Sequence, residues 1–196
     1  MPPSASTSSA PLEGANILVA VTGGIAAYKT ATLVSRLAQS GASVRVLMTD
    51  AATRFISPLT FQALSAHPVY TSQWEHAEAH DPQHINLARN AHLAVVAPCT
   101  MDCMARLAQG LASDVVTVVL SAIDRKRTPV LLAPAMNDVM WAQPSTQRNA
   151  ETLRNDGYTL LGPAEGWMAC RSVGPGRMVE PEDILSAIHT ALRPRA

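Results

Sequence analysis

The sequence predicts an α/β domain built on an open, doubly wound parallel sheet, and three observations carry that expectation. Near-continuous apolar runs, NILVAVT (16–22), SVRVLMT (43–49), HLAVVAP (92–98) and PVLLAPA (129–135), read as strands covered on both faces. Stretches of helical periodicity stand between them, so strand and helix alternate along the chain. The first strand, the first helix and the second strand fit within about 30 residues, the length of a right-handed parallel crossover.

Each element has its own signal. MPPSASTSSAPLEG is rich in Ser, Pro and Ala and lacks the regions of a signal peptide, so residues 1–14 are expected to be a flexible tail before a single domain over 15–193. IAAYKTATLVSRLAQSG (25–41) places Ile25, Leu33 and Leu37 on one helical face, and Gly41 stops it. ATRFI and PLTFQALSA read as short helices broken at Pro58, followed by the polar stretch WEHAEAHDPQH. TMDCMARLAQGLASD and VVTVVLSAI read as two helical pieces. PSTQRNAETLRNDG (144–157) is a helix with Pro144 in its first turn and Gly157 at its end. YTLLGP is a last strand, EGWMACRSVGPGRMVEP a loop rich in Gly and Pro, and EDILSAIHTAL a closing helix.

Composition narrows the function. Of 196 residues, 47% are hydrophobic and 15% charged, which argues against disorder, and the formal net charge is zero. With no basic run, nucleic acid is not an expected partner. No apolar stretch approaches the roughly 20 residues of a membrane span. Three sparse cysteines, Cys99, Cys103 and Cys170, fit a reducing compartment, and C-x3-C is not a usual zinc spacing. Cys99 and Cys103 read as small buried hydrophobes.

VTGGIAAYKT (21–30) sits where a nucleotide-binding loop belongs. A P-loop fails, because Tyr28 occupies its second glycine position. The dinucleotide fingerprint fails too, since Gly23 and Gly24 are adjacent with no third glycine; Asp50, after the second strand, stays open as a ribose ligand. Thr22-Gly23-Gly24 remains a turn feeding a helix N-terminus, with free N–H groups, a dipole end and the Thr22 hydroxyl as donor: an anion site, or a plain turn. The strand ends VTGG, VLMTD, VVAPCTMD and LLAPAMND should gather beyond the sheet, so that Thr22, Thr49, Thr100, Asp102 and Asn137 line one crevice.

Other residues are ambiguous by themselves. His76, His80 and His84 have helical spacing, but Asp81-Pro82 interrupts it, so no metal site is expected. Alone, His84 reads as structural or solvent-facing, Asn137 as a helix cap, Cys170 as a loop thiol and Arg89 as a surface cation. Met136, Met140 and Trp141 read as wall or core.

PAMNDVMW (134–141), TGGIAAYK (22–29), HINLAR (84–89) and MACRSVGPGRMVEP (168–181) together resemble the flavin-dependent cysteine decarboxylases, over Asn16 to Ile188. The resemblance implies a Rossmann-like, flavodoxin-like three-layer α/β/α domain, FMN as cofactor and no metal. It implies decarboxylation of 4′-phosphopantothenoylcysteine to 4′-phosphopantetheine in coenzyme A biosynthesis, through a thioaldehyde, loss of carbon dioxide and reduction of the enethiol. His84 would take the thiol proton, Asn137 would hold the carboxylate and Cys170 would return a proton. Thr22, Gly23, Gly24, Ile25, Thr49, Thr100 and Asp102 would border the cofactor. Arg89, Met140, Ala169, Arg177 and Met178 would join Asn137 around the substrate. A cytoplasmic homotrimer, or an assembly of trimers, with flavin at the subunit interface is implied as well.

Two positions depart from the family pattern: Asp102 stands where Asn is usual, and Arg171 where Gly follows the cysteine. A carboxylate at 102 is expected to repel an anionic ligand or change hydrogen-bond polarity. The alternatives are a peptidyl-cysteine oxidative decarboxylase, a flavin prenyltransferase, disfavoured by HINLAR and PAMNDVMW, and a non-catalytic flavin-binding regulator.

Overall fold

The computed structural model describes residues 12–74, 83–169 and 171–193. A six-stranded sheet runs β3 (Val69–Tyr70), β2 (Ser43–Met48), β1 (Asn16–Val21), β4 (Leu93–Cys99), β5 (Val130–Pro134), β6 (Thr159–Leu160), and every pairing in it is parallel. The cause is visible in β1. Leu18 and Ala20 pack into one buried cluster with Val96 and Leu132. Ile17, Val19 and Val21 pack into a second with Val46, Val95 and Leu131. Side chains alternate across a strand, so a sheet apolar on both faces must carry helices on both. This is the three-layer α/β/α architecture the sequence predicts.

The helices are α1 (Ala27–Gln39), α2 (Asp50–Thr53), α3 (Pro58–Ser65), α4 (Gln83–Asn90), α5 (Met101–Ala108), α6 (Val115–Ser121), α7 (Asp138–Ala142), α8 (Pro144–Asn155) and α9 (Pro181–Leu192). Their boundaries follow local chemistry. Pro opens α3, α8 and α9 in the first turn. Gly41 and Gly157 follow α1 and α8 with φ of 86° and 89°, a conformation that favours glycine.

The structure corrects one expected element and adds detail at two further places. The Gly/Pro-rich stretch expected as a loop holds an antiparallel hairpin, β7 (Ala164–Trp167) and β8 (Val173–Arg177). HINLAR, which the sequence reading assigns to no element, lies on α4. Packing also begins before residue 15: Leu12 is buried, and its N–H donates to the Ser40 carbonyl at 2.9 Å.

Candidate active site

β1, β4 and β5 end side by side where the strand order reverses, the place where open α/β sheets bind ligands. β1 gives way to Thr22-Gly23-Gly24, which feeds α1. A Cβ on Gly23 would run into the Cβ of Ala51 and stand 3.0 Å from the Ala51 carbonyl carbon, so close approach demands glycine there. The first N–H groups of α1 have no partner within the helix, and the turn presents a positive dipole end.

Thr22 does not act as expected. Its hydroxyl is buried, donates to the Pro98 carbonyl at 2.6 Å and accepts from the Thr100 N–H at 3.1 Å. A hydroxyl has one proton, and this one is committed to tying the end of β1 to the end of β4. The donors of the anion turn are therefore backbone groups. Thr49 and Thr100 cap α2 and α5, accepting from the N–H groups of Ala52 and Cys103 at 3.2 and 3.3 Å.

Asp102 lies in the first turn of α5. Its carboxylate accepts from Arg106 Nε at 2.8 Å, and Arg106 also donates to Ser113. The hydrogen bond and charge of Asp102 hold the guanidinium pKa above its ordinary value. The expected uncompensated negative charge is thus a neutral pair one helical turn long. Behind it, Cys99 and Cys103 are buried free thiols. Their mutual hydrogen bond, then burial, raises the Cys103 pKa well above the ordinary thiol value, which favours the neutral thiol.

At the end of β5, Asn137 caps α7, its Oδ1 accepting from the Val139 N–H at 2.9 Å. The hairpin crosses over this corner. The Met136 N–H donates to the Gly176 carbonyl at 2.9 Å, and a Cβ on Gly176 would collide with the Met136 carbonyl oxygen. Arg171 takes φ of 65° in the turn between the strands, so a non-glycine residue here holds a conformation that glycine adopts without strain.

These groups enclose a cavity of about 1090 Å³. Thr22, Gly23, Gly24, Ile25, Thr49, Thr100, Asp102, Asn137, Met140, Ala169, Arg177 and Met178 all line it. Met178 does so from behind: it is 1% exposed and packs with Ile184 and Ile188 in the core. His84, half-buried, and Arg89, exposed, do not line the cavity; both stand on α4. Cys170, His76 and His80 lie outside the described residues. Sequence reasoning missed Arg106, Asp114 and Trp167 on the cavity wall. The spacing of Asp102 and Arg106 by four on a helix was the usable signal for the first. Lys29, the last residue of TGGIAAYK, also lines the cavity, and its ammonium binds both oxygens of Glu180, at 2.9 and 3.0 Å. Among the described residues, no cluster of His, Cys, Asp and Glu is placed to hold a metal, and no helix is long and apolar enough to cross a membrane.

Comparison with known proteins gives consistent relatives. The flavoprotein family profile matches residues 5–193. The coenzyme A biosynthesis bifunctional protein CoaBC of Bacillus subtilis is 47% identical over 174 residues, 89% of this chain and 42% of that protein. CoaBC of Escherichia coli is 45% identical over the same shares of the two chains. This chain therefore spans less than half the length of these relatives. A cysteine-to-serine mutant of PPC decarboxylase, complexed with pantothenoylaminoethenethiol, superposes with a TM-score of 0.80 at 29% identity, over 90% of this chain and 97% of its own. The FMN binding protein AtHal3 superposes with a TM-score of 0.79 at 30% identity, over 93% and 98%.

Proposed function

The chain belongs to the flavoprotein family, and from that premise we propose that it is an FMN-dependent carboxy-lyase. Its reaction is the conversion of 4′-phosphopantothenoylcysteine to 4′-phosphopantetheine in coenzyme A biosynthesis. The observation that carries this reading is convergence: the tight Gly23 turn, the Asn137 corner and the hairpin meet on one cavity of about 1090 Å³. That is space for a cofactor and a substrate together. The residues fit FMN. A turn that admits no side chain at Gly23 brings backbone donors and a helix dipole to a phosphate. Thr49, Thr100, Gly24 and Ile25 border the rest. The paired Asp102–Arg106 leaves no bare charge against an anion.

FMN, when bound, supplies the electron sink that a simple cysteine carboxylate lacks. The remaining work belongs to the protein. The Asn137 amide holds the substrate carboxylate without a formal charge, so that the carboxylate is not over-stabilised against leaving. His84 takes the thiol proton, a task suited to imidazole near neutral pH. Cys170 returns a proton to the product carbon. Arg89 and Arg177 serve the anionic ends of the substrate, with Met140, Ala169 and Met178 as its wall.

His84 and Arg89 stand off the cavity of their own chain, and Ile25 and Tyr28 are 59% and 61% exposed beside it. Both facts support a homotrimer, or an assembly of trimers, in which α4 of one subunit serves the cavity of the next. We assign the protein to the cytoplasm, a reducing compartment that its three sparse cysteines fit. A peptidyl-cysteine oxidative decarboxylase is the second reading, favoured by the strained turn at Arg171 beside Cys170.

Incubation with 4′-phosphopantothenoylcysteine and mass spectrometry of the product tests both. Loss of carbon dioxide alone is expected. Loss of carbon dioxide with two further hydrogens would mean that reduction fails, as in the second reading. An unchanged substrate mass with FMN bound would leave a non-catalytic flavoprotein, and full turnover by His84→Asn would remove His84 from the mechanism.

A further inference from the structure

Two segments far apart in the sequence are joined by a charge network that the proposed chemistry does not use. Lys29 stands in the first turn of α1, and its side chain is only 14% exposed. Its partner Glu180 lies 151 residues away, between β8 and α9. The same Oε1 that binds Lys29 also accepts from Arg177 Nη1 at 2.9 Å. Lys29 and Arg177 line the cavity; Glu180 sits behind them and does not. The Arg177 stem crosses the facing strand at Gly166, where a Cβ would stand 2.9 Å from Nε. One carboxylate therefore ties together the first turn of α1, the end of β8 and the start of α9.

A two-stranded hairpin is marginal by itself and must be held by what it docks on. β7–β8 docks at the Asn137 corner through the bond between Met136 and Gly176, and at its root through Glu180. Without that carboxylate, two cations would share a partly buried corner with no anion between them.

We propose that Glu180 is a positioning residue that latches the β7–β8 hairpin to the helix beneath the anion turn, and so supports substrate affinity by holding Arg177 over the cavity. The affinity half rests on the decarboxylase reading; the latch itself does not.

Hydrogen exchange of the full chain tests the latch with neither FMN nor substrate added. In Glu180→Gln, amides of residues 164–177 should exchange roughly tenfold faster, the scale of losing a charge-assisted hydrogen bond, while β1 and β4 stay protected. With substrate, KM should rise several-fold, more than kcat falls, because Arg177 and the segment that carries Cys170 loosen together. Lys29→Met with Glu180→Gln should be no worse than Glu180→Gln alone, because the two groups act as one unit. Equal acceleration at every amide, additive single effects, or a fall in kcat at constant KM would overturn the proposal. If Glu180→Gln does not fold, Glu180→Asp, which keeps the charge on a shorter stem, should loosen the hairpin selectively; unchanged exchange in that variant overturns the latch. A wild type that decarboxylates nothing, while Glu180→Gln still frees the hairpin, overturns the functional reading and leaves the latch standing.

Discussion

Gly23 and Gly24 are neighbours in one turn, yet their substitutions should diverge. A methyl on Gly23 meets the backbone and Cβ of Ala51, and α2 must shift to make room. A methyl on Gly24 meets Thr100 Cγ2 at 3.6 Å and Pro98 Cγ at 3.9 Å, both ordinary contacts. Gly23→Ala should therefore cost about 1–3 kcal/mol by overpacking, while Gly24→Ala stays within about 1 kcal/mol. Thermal unfolding of the two variants, with bound flavin read from absorbance, checks the contrast; equal behaviour would mean that the turn is not set by Ala51. At this scale the sequence was legible where a residue's role is local. Gly41, Pro144 and Gly157 could be placed from their neighbours alone. Thr22 and Lys29 could not, because the partners that define them, Pro98 and Glu180, lie 76 and 151 residues away. Lys29 in a GG-x4-K setting looks like a phosphate ligand until its carboxylate is found.

Among the elements, the buried strands were the most readable, since β4 and β5 are apolar on every residue and nothing competes with that pattern. The hairpin was the least readable. Gly166, Gly174 and Gly176 spell a loop by propensity, but two of them are there because backbone passes close to Asp138 and Met136. A strand chosen for close approach loses the β-branched signature by which strands are recognised. The hairpin also carries a pH dependence. Lys29 first, and then Arg177, lower the Glu180 pKa below the ordinary carboxylate value. A depressed folded-state pKa gives stability that is complete above the unfolded value and is lost as pH falls through the folded one. The latch should hold at neutral pH and release only below the usual carboxylate range. Exchange at residues 164–177, corrected for intrinsic rates and followed downward in pH, should accelerate in the wild type and not in Glu180→Gln. Glu180 is two-fifths exposed, so solvent screening keeps the effect local to the hairpin.

For the whole molecule, the strand order fixed where a site must be, and the four strand ends met there as their sequences implied. What one chain did not bring together is as informative. α4 leads into the start of β4, while the cavity lies beyond the ends of β1, β4 and β5, so His84 and Arg89 have no place on its wall. No reading of a single sequence separates a residue that serves its own site from one that serves a neighbour's. If α4 completes the site of a second copy, the protein in solution should have a mass close to three times that of the 20.8 kDa chain, or a multiple of it. Activity should also be shared between chains. His84→Asn and Asn137→Ala homo-oligomers should each be inactive. Co-expressed, they should form mixed oligomers in which some interfaces pair an intact α4 with an intact Asn137 corner, and those sites should turn over. Recovered activity in the mixture, absent when the two purified variants are combined without subunit exchange, is the expected result. A silent mixture would place His84 in its own chain's chemistry, and α4 would then have to move toward the cavity on ligand binding. A monomeric mass with full activity would remove the shared site altogether.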